Sequence, residues 1–379
     1  MSVRKRKWIT RGGEAKEAWI VDYTDSQGGR HIETFDRKKD ADEHHAKVKV
    51  DVRTGTHTPV AKSISVTQAA EDWITSARLE GREASTLAQY RQHAHHIGER
   101  IGNLKLASLT TPRVNAFRDD LLATMSRVMA RKVMVSLKSL LHDAQRRGNV
   151  AQNTAVGVKR IDVNQRHEGK LRVGVDIPAA DEIKAIINAA GRWRPLLMTA
   201  AFSGLRGSEL RGLRWEDVDL KVGELHVRQR ADRYNVIGSL KSKAGHRVVP
   251  LGPLVLNVLR EWKLVCPRGE LGLVFPTASG RIATHNHLRR VLKAAVRIAG
   301  LTNSKGEPKY AGVHALRHFY ASWCINPLDR GGQGLPAKVV QERLGHSSIV
   351  MTMDTYGHLF PPSDDAGKRL ADAERALLG

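Results

Sequence analysis

The chain of 379 residues carries 62 Lys and Arg against 39 Asp and Glu, a formal net charge of +23 with a pI near 10.3. That length predicts roughly two to three domains, the 41% of hydrophobic residues excludes a disordered chain, and the charge calls for a polyanionic partner. Two cysteines, Cys266 and Cys324, exclude a disulfide framework and fit a reducing cytoplasm; the basic start MSVRKRKWITR lacks a following apolar run, so neither export nor membrane insertion is expected. Charge is spread along the chain: residues 1–60 hold 13 basic and 10 acidic side chains, 61–175 hold 19 and 10, and 176–379 hold 30 and 19. A groove following a duplex past many phosphates needs that spread, because each neutralised phosphate releases counterions. A solvated surface that leans basic is the plainer alternative.

Residues 18–23 and 30–35 read as two strands joined through Asp25-Ser26-Gln27-Gly28-Gly29, and Asp36 as the N-cap of a helix through about Val52, which makes a small sheet packed on one helix. Arg4, Lys5, Arg6, Lys7 and Arg11, with no acidic residue among them, favour a phosphate contact over a packing role. Thr54-Gly55-Thr56-His57-Thr58-Pro59 reads as a linker. Four amphipathic helices follow, opened by Thr67, by Ser85, by Thr111-Pro112 and by Ser126, the last closed by Gly148. On this bundle Arg127, Arg131, Lys132, Lys138, Arg146 and Arg147 have few acidic counterparts and are expected to face phosphates. From Asp176 onward helices dominate again, with short strands at 224–230 and 247–250 around the Lys241 loop. Gly331-Gly332-Gln333-Gly334 lacks the strand and helix context of a nucleotide fingerprint and reads as a flexible connection.

Chemistry concentrates in four blocks. Ser203-Gly204-Leu205-Arg206-Gly207-Ser208-Glu209-Leu210 sets an Arg at a Gly-bracketed helix start. Lys241-Ser242-Lys243-Ala244-Gly245-His246-Arg247-Val248-Val249-Pro250-Leu251 is a basic hairpin ending in an apolar strand. His314-Ala315-Leu316-Arg317-His318 places His314 and Arg317 on one helix face, and Leu344-Gly345-His346-Ser347-Ser348 stands a few residues before Tyr356-Gly357-His358. A nucleophile, cations for non-bridging oxygens and a proton donor are the parts needed to break a phosphodiester without metal or water.

In this order the blocks resemble the tyrosine recombinase family, more closely the integrases of phages and integrative elements. The resemblance implies a multidomain, mostly α protein with small β elements: an arm-type DNA-binding unit at 1–60 with a three-stranded sheet and a helix, a helical core-site-binding bundle at 61–165, and a mixed α+β catalytic domain at 176–379. It further implies Tyr356 as nucleophile, Arg206 and Arg317 on the non-bridging oxygens, Lys241 as general acid, and His314 and His346 on the phosphate. Glu209 is expected to orient Arg206. Lys241 stands nine residues before Pro250, and a slip in the hairpin would redirect the choice to Lys243.

No cofactor or metal is implied. The implied partners are double-stranded DNA attachment sites, three further copies of the chain in a tetramer on DNA, and, as options, a DNA-bending protein and a directionality factor; the implied location is the cytoplasm, on the nucleoid. The two larger domains are expected to clamp a duplex, and residues 366–378 to dock on a neighbouring copy. Duller readings compete at each position: Tyr356 as a core tyrosine like Tyr23 or Tyr90, Arg206 and Arg317 as structural ion pairs, and His314, His318, His346 and His358 as zinc ligands. A non-catalytic DNA-binding regulator would show an eroded set of these residues, and a chromosome-resolving recombinase usually lacks a unit like 1–60. Between Ile325 and Val339 about six residues exceed the family pattern, and their Pro and Gly content predicts a surface loop.

Overall fold

The computed structural model describes residues 2–9, 14–24, 28–53, 63–163, 170–240, 242–360 and 366–378. The expected linker at 54–59, the residue Arg11, most of the first hairpin turn and Lys241 lie outside the described residues. The chain divides into two compact units, residues 1–166 and 167–379.

In the first unit, β1 (Ser2–Ile9), β2 (Ala15–Thr24) and β3 (Arg30–Phe35) form an antiparallel sheet in that order. Trp19, Val21 and Tyr23, two apart on β2, point to one face and pack with Val3, Phe35 and Ala41, Val48 and Val52 of α1 (Lys38–Arg53). The third strand that the resemblance implied, beyond the two read from the residues themselves, is the basic segment at 2–9, whose alternation is masked by charge. Helix α1 starts two residues after Asp36.

The bundle comprises α2 (Val66–Leu79), α3 (Ala84–Ile101), α4 (Thr111–Thr124) and α5 (Arg127–Arg146) around Trp73, Ile97, Phe117, Leu121, Leu137 and Leu140. Helical spacing of Ala69, Ala70, Trp73 and Ala77 puts one stripe of α2 into that core. The caps differ from the sequence reading by a residue or two. Ser65, not Thr67, accepts the Gln68 amide; Glu83, not Ser85, precedes α3; Thr110, not Thr111, precedes α4, with Pro112 in the first turn. Ser126 caps α5 as read, and Gly148 adopts φ +76° beyond its end.

The second unit is built on α6 (Ala180–Asn188), α7 (Arg194–Ser203), α8 (Gly207–Gly212), α9 (Pro253–Val265), α10 (His285–Ile298), α11 (His314–Ile325), α12 (Ala337–Leu344), α13 (Ile349–Tyr356) and α14 (Ala366–Leu378). Between α8 and α9 lie β4 (Val218–Asp219), β5 (Glu224–Val227), β6 (Gln229–Ala231), β7 (Ile237–Ser239) and β8 (Arg247–Pro250). One sheet runs β4-β5-β8 and a separate hairpin pairs β6 with β7. The single strand expected at 224–230 is therefore two: the ladder with β8 ends at Val227, the pairing with β7 starts at Gln229, and Arg228 between them lies 3.2 Å from the buried Asp217. The segment after α11, expected as a surface loop, is anchored: the Trp323 indole donates to the Gly331 carbonyl at 3.0 Å, and the Leu335 amide to the Cys324 carbonyl at 2.8 Å. Among the described residues no helix is long and apolar enough to cross a membrane.

Candidate active site

The site is assembled where chain reversals meet. Helix α7 ends at Gly204, φ +61°, where a Cβ would sit 2.3 Å from the Tyr320 ring. Only glycine meets both demands. Two residues on, Arg206 precedes α8; its amide donates to Glu209 Oε2 and its Nη1 to Glu209 Oε1, both at 2.8 Å. Glu209 is buried and also receives Arg247, Nη2 to Oε2 at 2.8 Å and Nη1 to Oε1 at 3.3 Å. Arg247 in turn donates from Nε to the Arg343 carbonyl at 2.7 Å.

Helix α12 ends at Gly345, φ +63°. The carbonyls exposed by that ending are claimed by the two other arginines: Arg317 Nη2 donates to Leu344 O at 2.5 Å, and Arg206 Nη2 to Gly345 O at 3.0 Å. Arg317, almost wholly buried on α11, also donates from Nη1 to Gly204 O at 2.5 Å. His346 follows the turn, its Nδ1 2.9 Å from Thr352 Oγ1. Ser348 caps α13, at whose end Tyr356 is 2% exposed, with its hydroxyl 2.7 Å from Nδ1 of His318. The His346 and Tyr356 rings lie nearly parallel, 3° apart at 6.4 Å, and the His314 and His318 rings meet edge to face at 4.5 Å.

Burial works to raise the Glu209 pKa, but the charges of Arg247 and Arg206 outweigh it and hold the group at about 2. Burial pulls the Arg317 guanidinium down to about 9, still charged at neutral pH, and lowers His314, with Arg317 and Arg206 adding to the effect there. The same causes, burial first, bring His346 to about 4. Burial, then His314 and Arg317, bring His318 to about 4. The Tyr356 phenol is pushed up by burial to about 12, against the pull of Arg317 and Arg206. At neutral pH the pocket therefore combines fixed guanidinium charge, neutral imidazoles and a protonated phenol, an arrangement that receives an anion such as a phosphodiester.

Six of the sequence-predicted residues, Arg206, Glu209, His314, Arg317, His346 and Tyr356, meet in this one place although they span 151 positions (206 to 356). The expected acid Lys241 is outside the described residues; its hairpin neighbours are the end of β7 and the turn at Lys243–Gly245. His358 points elsewhere, its Nε2 2.8 Å from Leu171 O, and among the described residues no three His, Cys, Asp or Glu side chains are grouped to hold a metal ion. Sequence reasoning weighed His318 only as an alternative zinc ligand and gave no role to Arg247 or Thr352. The second His of the His-x-Leu-Arg-His block and the Arg closing the basic hairpin were the available signals.

The remaining candidate DNA contacts separate by strand phase. Arg4 and Arg6 project from the sheet face opposite α1, Arg4 meeting Asp22 at 3.4 Å, whereas Lys5 and Lys7 take the other phase and pair with Glu17 at 2.6 and 3.6 Å. On the bundle Arg127, Lys132 and Lys138 are exposed and Arg131 is half-buried. Arg146 and Arg147 differ from the expectation that they lack acidic partners, since both bond the buried Asp143, at 2.8 and 2.9 Å.

Residues 179–361 match the model of the phage integrase family. A tyrosine recombinase XerC-like protein of Caldanaerobacter subterraneus subsp. tengcongensis is 23% identical over 389 residues, covering 94% of this chain and 96% of that one. The ICEBs1 integrase of Bacillus subtilis is 23% identical over 344 residues, 84% of each chain. Among solved structures, the Tn1549 transposon integrase in complex with a circular intermediate DNA superposes with a TM-score of 0.65 at 18% identity, covering 83% of this chain and 100% of that one. A lambda integrase tetramer bound to a Holliday junction gives 0.57 at 17% identity, covering 90% and 95%. The four motif blocks, folded into one cationic pocket around a buried tyrosine, all lie within the region that matches the phage integrase family model, and the chain is similar over most of its length to a XerC-like tyrosine recombinase and an integrase.

Proposed function

We propose that the chain is a site-specific integrase that inserts or excises a mobile element through a 3′-phosphotyrosyl intermediate on Tyr356. The observation that carries the reading is the Tyr356 hydroxyl, buried and hydrogen-bonded beside the paired arginines. In the forward step Tyr356 Oη bonds to phosphorus as the bond from phosphorus to the 5′ oxygen breaks, and Lys241 protonates that oxygen. Arg206 and Arg317 hold the non-bridging oxygens, His314 and His346 hydrogen-bond the same phosphate, and Glu209 positions Arg206. Rejoining reverses the step with a 5′ hydroxyl from the partner strand. The phosphotyrosine conserves the energy of the broken bond, so the chemistry needs neither nucleotide nor metal ion.

The substrate is double-stranded DNA at attachment sites. Arg4, Lys5, Arg6 and Lys7 would contact arm sites, and Arg127, Arg131, Lys132 and Lys138 core sites. Four copies on two sites would exchange strands, as the tetrameric lambda integrase on its junction suggests, with a DNA-bending protein and a directionality factor as accessory partners on the nucleoid in the cytoplasm. A chromosome-resolving recombinase is the second reading, favoured by the likeness to the XerC-like protein along 94% of the chain.

The test is Tyr356→Phe on a suicide substrate nicked near the cleavage point. Loss of the covalent protein–DNA adduct with DNA binding retained is expected, and an adduct formed by the Phe variant would place the nucleophile elsewhere. Cleavage by the parent protein is expected to persist in excess EDTA without nucleotide.

A further inference from the structure

The mechanism above names an acid for the leaving group but no acceptor for the proton that Tyr356 must lose. The groups around the phenol narrow the choice. Glu209 is committed to Arg206 and Arg247. His346 presents the flat of its ring to the phenol ring and uses Nδ1 on Thr352. His314 meets the ring of His318 edge to face. His318, one helical turn beyond His314 and next to Arg317 on α11, directs Nδ1 at the phenolic oxygen from 2.7 Å.

We propose that His318 is a catalytic residue, the general base that takes the Tyr356 proton during attack and returns it during rejoining. The proposal rests on Tyr356 being the nucleophile. In cleavage the proton passes from Oη to Nδ1 while the bond from Oη to phosphorus forms; the bond to the 5′ oxygen breaks, and that oxygen receives a separate proton from Lys241. In rejoining the 5′ hydroxyl attacks, its proton goes back to Lys241, and Tyr356 departs with the proton held on Nδ1. Both groups begin and end each cycle in the same protonation state.

The resting basicities agree with this direction of the hydrogen bond. With the imidazole lowered by burial, His314 and Arg317, and the phenol raised by burial, both groups rest neutral, and in the Nε2–H tautomer of His318 that the proposal requires the phenol donates and Nδ1 accepts. The imbalance also prevents premature ionisation of the nucleophile. A phosphodiester seated on Arg206 and Arg317 brings negative charge that offsets the Arg317 part of this lowering, of which burial is the larger cause, and so raises the basicity of His318 when substrate is bound.

The experiment uses the full chain, with three probes on one suicide substrate and melting temperature as the check on folding. His318→Ala is expected to lower the cleavage rate about 100-fold or more, the usual range for removal of a general base, with DNA binding changed less than about threefold. His318→Asn, whose carbonyl accepts the hydrogen bond but takes no proton, is expected to be slow as well, and stands in for His318→Ala if that variant fails to fold. Introducing 3,5-difluorotyrosine at position 356, a more acidic phenol, should accelerate the slow variant at least about tenfold more than it does the parent, because a nucleophile that ionises readily needs its base less. A 5′-bridging sulfur substrate should rescue Lys241→Ala but leave the His318 variant slow, since sulfur removes the need for an acid and not for a base.

Parental cleavage by a folded His318→Ala or His318→Asn variant overturns the proposal. So does an equal response of variant and parent to fluorination, which would mark a merely structural role, and so does rescue of the His318 variant by sulfur, which would place the residue on the leaving group. An adduct formed by Tyr356→Phe would instead remove the underlying reading, a result none of the His318 outcomes mimics.

Discussion

At the scale of single residues the site is organised by one carboxylate. Glu209 accepts from Arg206 and Arg247 and so couples the start of α8 to β8, the strand that leaves the basic hairpin. Removing Arg247 leaves the Glu209 charge buried with half its partners; Arg247→Ala is expected to cost about 3 kcal/mol or more in a urea unfolding measurement and to slow cleavage by loosening Glu209, the carboxylate that positions Arg206. Protonation gives a second test. His318 and His346 titrate at about 4 in the folded pocket against an ordinary 6.5, so between those values the unfolded chain binds protons that the folded one refuses. Stability is then expected to fall as pH drops from 6.5 toward 4. Glu209 acts in the same direction lower down: with a folded value of about 2 against 4.5, its contribution is full above 4.5 and lost as pH falls toward 2. Melting temperatures from pH 7 to 3 should show this slope, and His318→Gln with His346→Gln should flatten its upper part.

At the scale of elements, the ends of helices do more than their faces. Gly345 closes α12 in the left-handed region, presents its carbonyl to Arg206, and leaves little room for a Cβ, which would come 3.0 Å from both the Ala244 carbonyl oxygen and Arg247 Nη1. Gly345→Ala is expected to cost more than about 1 kcal/mol in urea unfolding and to reduce adduct formation, because the turn that aligns His346 and both arginines is displaced. Strand alternation makes a separate prediction for β1. Arg4 and Arg6 share the face away from α1, Arg4 beside Asp22, while Lys5 and Lys7 take the other face and share the one carboxylate of Glu17. Arm-site binding by Arg4→Ala with Arg6→Ala should lose about one unit of salt dependence per contact removed, and Lys5→Ala with Lys7→Ala should lose less. Fluorescence anisotropy across a salt series measures both.

For the whole molecule the question is what residues 1–60 add. A fragment beginning near Lys62 retains 49 basic and 29 acidic residues, a balance of +20, and is expected to bind and cleave core-site DNA. It should fail to recombine full attachment sites, because tethering to a second DNA site raises the local concentration at a weak core site, and the isolated unit added in trans should not restore this. Recombination of full sites by the fragment at the parental rate would favour the chromosome-resolving reading.

Much of this molecule was legible in the sequence because the relevant forces are local. The stripe of Trp73 on α2, the Ser126 cap and the glycine stop at Gly148 depend on neighbours within a turn or two, and the motif blocks mark which side chains carry chemistry. Element edges moved by a residue or two where several capping residues compete, as Ser65 and Thr67 do. The strand read at 224–230 divided because its first half pairs with β8 and its second half with β7, partners that local propensity does not specify. Tertiary structure alone decided that Arg206 reaches Gly345 across 139 positions, that Arg247 rather than only Arg206 holds Glu209, that Arg146 and Arg147 are drawn to Asp143, and that His318 meets Tyr356. The reason is physical: residue type and spacing set what a side chain is able to do, while the partner it finds is set by which distant helix ends and turns pack together once the core excludes water.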